Sequence, residues 1–191
     1  MKKLPVGIQT FSKIIEGDYL YIDKTEIARS LIESYQYVFL SRPRRFGKSL
    51  FLDTLHSIFE GNRELFRGLL IEDQWNWEVT YPVIKISFSG GIDSRETLRK
   101  NLFYILNDNQ ERLDITCVEK EDPNQCFAEL IKKAFQKYNQ KVVILIDEQW
   151  NWEVTYPVIK ISFSGGIDSR ETLRKNLFYI LNDNQKRLDI H

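Results

Sequence analysis

The sequence lacks a long hydrophobic run. Its strongest apolar stretch, residues 142–146 (VVILI), is far shorter than the ~20 residues needed to span a bilayer. The amino terminus, MKKLPVGIQTF, has two lysines but no continuous apolar segment, because Pro5, Gly7 and Gln9 interrupt it. Neither a secretion signal nor a membrane helix is therefore expected, and the sequence predicts a cytoplasmic protein.

Cysteine is also scarce. Cys117 and Cys126 have eight residues between them and no histidine nearby. This spacing fits neither a zinc site nor a redox CxxC pair. In a cytoplasmic protein we expect both to be ordinary reduced thiols, since disulfides rarely persist there.

No charge of either sign predominates. Lys and Arg together number 27, as do Asp and Glu, in a chain of 191 residues. A general attraction to nucleic acid or to an anionic membrane is therefore not favoured, and any basic surface must be local. The length suits one sizeable domain rather than two.

What the chain does contain is a nearly exact internal repeat. Residues 74–115 recur at 149–190, and the two copies differ only at Glu111, which corresponds to Lys186. Solenoid repeats diverge on their surfaces and usually number three or more. We interpret the second copy as a recent duplication or an artefact of gene assembly, with a designed tandem unit as the alternative.

The rest of the chain alternates helical and extended patterns. Residues 37–40 (YVFL) and 141–147 (KVVILID) are continuous apolar runs, typical of strands buried on both faces of a parallel sheet. Residues 83–88 (VIKISF) alternate and suit a strand nearer an edge. Together with the helices below, this order predicts an α/β fold with a doubly wound parallel sheet flanked by helices.

Two helices are predicted around the first strand. Residues 25–35 have Ile27, Leu31 and Ile32 on one face, which we expect to point inward. Residues 48–59 form a second amphipathic helix directly after a loop rich in arginine.

Two further helices are marked by capping residues. Asp93 and Glu96 have the spacing of a capping box. Asp122 places a capping carboxylate before Pro123, a residue favoured at the first helical position. Both signals precede apolar residues at helical spacing.

The loop before the second helix resembles a phosphate-binding loop, GxxxxGK[ST]. Gly47, Lys48 and Ser49 match its last three positions, but Arg42 stands where the motif has its first glycine. In such loops, backbone N–H groups surround a phosphate, the lysine reaches its oxygens and the hydroxyl ligates Mg²⁺. A strand before and a helix after the loop favour phosphate binding over a coincidental helix start.

Three arginines accompany this loop. Arg42, Arg44 and Arg45 are either phosphate ligands or part of a solvated basic loop. We include them, together with Phe46 and Leu50, among the candidate nucleotide-binding residues.

An apolar strand ending in carboxylates would complete a nucleotide-hydrolysing site. Residues 142–148 (VVILIDE) supply such a strand. Asp147 is a candidate Mg²⁺ ligand together with Ser49, and Glu148 is a candidate general base for the attacking water. The alternative interpretation is two solvated acids in a turn.

These stretches resemble the predicted AAA-ATPase-like proteins of bacteria and archaea. The resemblance covers residues 1–148 and rests on LPVGIQTF, YIDKT, RPRRFGKS, VIKISFSG and VVILIDE. It implies a P-loop NTPase-like domain that binds ATP with Mg²⁺, and it makes Arg42 the family's own variant of the glycine rule. Members often carry a PD-(D/E)XK nuclease-like domain after the ATPase region, and we expect none in residues 149–191. The stretch 23–25 (DKT) belongs to this pattern.

The resemblance also implies a strand that is missing between the loop strand and the acidic strand. Glu148 runs directly into the duplicate, 149–191, which predicts one strand and one helix and leaves the expected sheet incomplete. As a parallel strand, the second VIKISF (158–163) would need a crossover of about a dozen residues, more than 149–157 provides. We therefore expect it to dock loosely, to pair at an edge or to compete with 83–88.

Together these features predict an ATP-binding domain, truncated, with weak or absent hydrolysis. The alternative is a non-enzymatic remnant or interaction module that retains the fold. DNA association through the arginines is a third hypothesis, which the neutral net charge does not favour. Two identical strands also make a homo-oligomer or a strand-exchanged dimer an open alternative.

Overall fold

One mixed sheet organises the chain. The computed structural model describes residues 2–41, 45–88, 94–118 and 121–147, together with the strand at 158–164. The spatial order of the strands is β1-β4-β3-β2. β2 is parallel to β3, and β4 is antiparallel to both β1 and β3, so β1, β2 and β3 share one direction. The strands are β1 (Tyr37–Ser41), β2 (Val83–Ser87), β3 (Val142–Asp147) and β4 (Val158–Ser164).

Helices pack on both faces of this sheet, which confirms the α/β class. Along β3, Val143 and Leu145 belong to one core cluster, and Ile144 and Ile146 to the other, as the alternation of a strand requires. The first cluster includes residues of α1, α2 and α3, and the second includes residues of α4 and α5. The helices are α1 (Phe11–Glu16), α2 (Thr25–Ser34), α3 (Lys48–Phe59), α4 (Arg95–Leu113) and α5 (Pro123–Tyr138).

The strand predictions hold for two of the three strands. β3 is buried along its whole length, and β2 lies at an edge of the sheet, as their patterns indicate. β1 was expected to be buried on both faces, but it forms the opposite edge, and Tyr37 and Phe39 are 53% and 59% exposed. Its apolar run therefore reflects β-propensity rather than complete burial.

The second copy of VIKISF has an unexpected place. The expectation of loose docking, edge pairing or competition with β2 is wrong, because β4 lies between β1 and β3. The length argument against a parallel crossover does not apply here, since an antiparallel neighbour can follow a short connection. Residues 149–157, and the helix predicted after β4, lie outside the described part of the chain.

Helix starts are only partly as expected. α3 has the predicted bounds, and α5 begins after Asp122, whose Oδ1 accepts a hydrogen bond of 2.9 Å from the Asn124 N–H. α4 is capped instead by Ser94, whose hydroxyl accepts from the Thr97 N–H at 3.1 Å. The predicted cap, Asp93, lies outside the described residues.

The inward face of α2 is rotated from the predicted one. Thr25 and Ala28 are its buried residues, whereas Ile27 is exposed and Leu31 and Ile32 are only partly buried. The apolar residues alone therefore predicted the wrong inward face, because the polar residue Thr25 is buried in the packing of this helix.

The expectation of two reduced thiols is also wrong. Cys117 and Cys126 are joined by a disulfide, and both are buried in the cluster beneath α4 and α5. The chain turns back between α4 and α5, which brings the two cysteines to a Cα–Cα distance of 5.4 Å. Their sequence spacing contains no sign of this turn.

A fully buried asparagine protects the outer edge of β2. The Asn109 side chain on α4 accepts from the Lys85 N–H at 2.8 Å and donates to the Lys85 carbonyl at 2.8 Å. Nearby, the Arg112 guanidinium donates to the Val83 carbonyl at 2.6 Å. These side chains satisfy backbone groups that an edge strand otherwise leaves open to solvent or to another strand.

We predict that Asn109→Ala lowers the free energy of unfolding by about 3 kcal/mol, because it leaves buried backbone groups of Lys85 unpaired. The duplicate provides a matched control, Asn184→Ala. Its loss should be below about 0.5 kcal/mol, since the corresponding strand residue, Lys160, is already paired with Phe39 and Ile146. Urea denaturation of both variants measures the difference, and equal losses would contradict the edge-protecting role.

Candidate functional site

Three strands end at the same edge of the sheet because β1, β2 and β3 run in one direction. The register places Ser87, Asp147, Ile159 and Leu40 in one row across this edge. Neighbouring strands lie about 4.8 Å apart, so the backbones of Leu40 and Asp147 are separated by about 10 Å. The arginine-rich loop follows β1 at this edge, and the candidate metal ligand ends β3.

The loop before α3 has a left-handed backbone at two positions. Arg45 has φ of 67° and Gly47 has φ of 72° with ψ of 23°. A Cβ added at Gly47 would meet no atom within 4 Å, so the constraint there is the backbone conformation rather than space. A non-glycine residue with this conformation costs about 1–3 kcal/mol, which marks Arg45 as strained. Phe46, between them, is exposed.

The first turn of α3 presents the remaining loop residues. Lys48 is only 8% exposed, and Ser49 is partly buried. Gly47 precedes the helix without a side-chain cap, and no acidic residue occupies the first turn. The partial positive charge of this helix end is therefore not opposed by a carboxylate of its own first turn. Leu50 packs with the core cluster of α3, so only its backbone is suited to a ligand.

Asp147 is the most unusual polar residue at this edge. It is 6% exposed, and its Oδ1 has no hydrogen-bond partner among the described residues. Alternation along β3 places it on the same face as Val143 and Leu145, which is the face covered by α3. Buried polar atoms nearly always have partners, so an unpaired carboxylate oxygen indicates a site for water or an ion.

Three of the predicted site residues, Arg42, Arg44 and Glu148, lie outside the described residues. Arg45 is described and is exposed on the loop. Within the described ranges, no three His, Cys, Asp or Glu side chains converge to form a metal cage.

In the same ranges, no helix has the length and hydrophobicity required to cross a membrane.

A family model and a curated relative each match most of this chain. Residues 5–149 match the family model described as Predicted AAA-ATPase. The chain belongs to this predicted AAA-ATPase family. A curated relative, described as an uncharacterized protein in the vnfD 5′ region of Azotobacter chroococcum mcd 1, is 51% identical over 149 residues. That alignment covers 77% of this chain and 29% of the relative. No solved structure matches.

One partly buried ion pair in this AAA-ATPase-family protein was not found from the sequence. Asp53, on α3, lies 2.5 Å from the Lys85 ammonium on β2, and its second carboxylate oxygen accepts from the Phe11 N–H at 2.8 Å. This carboxylate joins the loop helix to β2 and to the start of α1. The only sequence signal for this ion pair is weak: Lys85 interrupts the apolar residues of VIKISF.

The structure also gives a role to the family stretch YIDKT. Asp23 Oδ1 accepts from the Thr25 N–H at 2.8 Å and from its hydroxyl at 2.7 Å, and Oδ2 accepts from the Leu70 N–H at 2.7 Å. The Thr25 hydroxyl in turn accepts from the Ile71 N–H at 3.2 Å. These bonds fix the start of α2 to residues 70–71, so Asp23 and Thr25 stabilise the packing of this helix.

Protonation should weaken this network. Partial burial raises the pKa of Asp23, but the hydrogen bonds from Leu70 and Thr25 outweigh burial and lower the pKa below its ordinary value of 3.8. A carboxyl whose pKa is lower in the folded state stabilises the fold above the unfolded-state pKa, and this stability disappears as the pH falls through the folded-state pKa.

We predict that Asp23→Ala costs about 2–3 kcal/mol at pH 7, and that the difference from the parent protein decreases below about pH 4. Asp23→Asn keeps an acceptor for Thr25 but not for Leu70, and should have an intermediate effect without this pH dependence. Asp108→Ala, at an exposed position of α4, is the control. Denaturation at several pH values tests this, and a pH-independent loss in Asp23→Ala would contradict it.

Proposed function

We propose that this protein is an ATP-binding domain of the P-loop class. The observation that carries the proposal is the buried carboxylate of Asp147, whose unpaired oxygen lies at the edge of the sheet where β1 ends and on the face covered by α3. An unsatisfied buried polar group costs about 1–3 kcal/mol, and binding of a hydrated cation would remove this cost. The family assignment supports the same nucleotide.

The residues of the loop fit a phosphate group in this proposal. The Lys48 ammonium would contact the terminal phosphate oxygens, and the backbone N–H groups from Gly47 to Leu50 would surround them at the positive end of α3. The left-handed Gly47 turns the backbone from the loop into this helix. Arg42, Arg44 and Arg45 would add positive charge around the same anion.

Mg²⁺ would be held by few protein ligands. Ser49 would supply a hydroxyl and Asp147 a carboxylate, either directly or through water. Mg²⁺ commonly keeps several waters and binds to one or two carboxylates together with substrate phosphates. A site with one buried carboxylate fits this pattern better than a cage built entirely of protein ligands. The bound cation would supply neutralisation of phosphate charge.

Hydrolysis is proposed to be weak or absent. Glu148 is the proposed general base for water. The family resemblance implies a polar sensor residue, supplied by further strands and helices after the Asp-Glu pair, and a strand between the loop strand and the acidic strand. Here β4 occupies that place with Ile159 level with Asp147, a residue without polar side-chain atoms. We propose a cytoplasmic domain that binds ATP and turns it over slowly, with a homo-oligomer as an open alternative.

We predict that Lys48→Ala weakens binding of Mg²⁺·ATP at least tenfold, because charge-assisted bonds to phosphate are lost. Lys141→Ala, an exposed lysine before β3, is the matched control and should bind as the parent does. Isothermal titration and thermal stabilisation by ATP measure the effect, since a ligand that binds only the folded state must raise its stability. Unchanged binding in Lys48→Ala would refute the proposal. Absence of stabilisation in the parent protein would instead favour a non-enzymatic interaction module.

A further inference from the structure

Ser87, the last residue of β2, lies beside the unpaired carboxylate. We propose that the Ser87 hydroxyl positions a metal-bound water next to Asp147 when Mg²⁺ and nucleotide bind. The inference rests on the proposed function and adds a positioning residue to that site. Ser87 belongs to a segment that the sequence predicted as a strand and that carries part of the family resemblance, but Ser87 itself was not among the candidate site residues.

The register brings the two residues together. Ser87 and Asp147 are direct partners in the parallel pairing of β2 and β3, where the strands lie about 4.8 Å apart. The Phe88 N–H donates to the Asp147 carbonyl at 3.1 Å, so the pairing continues past Ser87 to the end of the sheet. Ser87 is therefore the β2 residue level with the candidate metal ligand.

The two side chains also share a face. Val83 belongs to the core cluster of α3, whereas Ile84 and Ile86 belong to the cluster of α4 and α5. Alternation thus places Ser87 on the α3 face, the same face as Asp147. Lys85, the other polar residue on this face of β2, is held by its ion pair with Asp53. Ser87 is the nearer of the two to Asp147 and is partly exposed, so water can reach it.

The chemistry of serine suits this place. A hydroxyl both donates and accepts, so it can accept from a metal-bound water or donate to the carboxylate. Residues that orient the ligands of a metal commonly change its affinity 10–100-fold when mutated. The buried Oδ1 of Asp147 is an acceptor that such a water could satisfy.

The duplicate offers a matched control for this inference. Ser162 is the same position of the same hexapeptide in β4, but it pairs with Tyr37 and Ile144, away from the edge that contains Asp147. Ser87→Ala should raise the Mg²⁺ concentration for half-maximal binding of a fluorescent ATP analogue about tenfold. Ser162→Ala should leave it unchanged. Binding of the analogue in EDTA should be the same in both variants, because the loop and Lys48 are intact.

Two further variants separate the outcomes. Ser87→Thr keeps the hydroxyl and should retain most of the parent protein's Mg²⁺ affinity. If Ser87→Thr has the parent's melting temperature but needs as much Mg²⁺ as Ser87→Ala, the effect is steric and the inference is wrong. Asp147→Asn tests the proposed Mg²⁺ ligand directly. A Mg²⁺ requirement that shifts in Asp147→Asn but not in Ser87→Ala overturns the inference and leaves the proposed function intact. If the parent protein binds the analogue without any dependence on Mg²⁺, the proposed metal site fails and the inference fails with it.

Discussion

The pairing of β4 with both β1 and β3 is the interaction on which the rest of the structure depends. β1 carries the loop, β3 carries the buried carboxylate, and their backbones are joined only through β4 in the described sheet. β3 is buried along its length, so an unpaired edge there would leave polar backbone groups without partners. Backbone hydrogen bonding therefore requires a strand in this position, whatever the function of the protein. A strand of either direction would meet this requirement.

The direction nevertheless affects what the site can contain. Strands that run parallel to β1 and β3 end at the edge where the loop lies, and a loop after such a strand can add polar groups there. β4 begins at that edge instead, and its first residues, Val158 and Ile159, have apolar side chains. The pairing thus joins β1 to β3, but neither of the first two residues of β4 brings a polar side-chain group to this edge. This difference is the physical basis for proposing binding with little turnover.

Local signals predicted the parts of the fold that depend on neighbours in sequence. The bounds of α3 follow from its apolar face, and the start of α5 follows from Asp122, because capping involves residues only a few positions apart. The disulfide, the rotation of α2 and the partners of Asp23 depend on contacts between distant segments, which no local pattern encodes. Lys48, Ser49 and Asp147 are predicted site residues because motif and strand context coincide, whereas Asp53 carries no motif.

The two copies of VIKISF separate the influence of sequence from that of environment. As β2, the hexapeptide contributes a parallel edge strand whose outer backbone groups bind Asn109 and Arg112. As β4, it is antiparallel and paired on both sides. An alternating apolar pattern specifies which residues share a face, but it does not specify the direction or neighbours of the strand. The same serine is therefore level with a buried carboxylate in one copy and with Tyr37 and Ile144 in the other. Register, not residue type, decides whether it can contribute to a site.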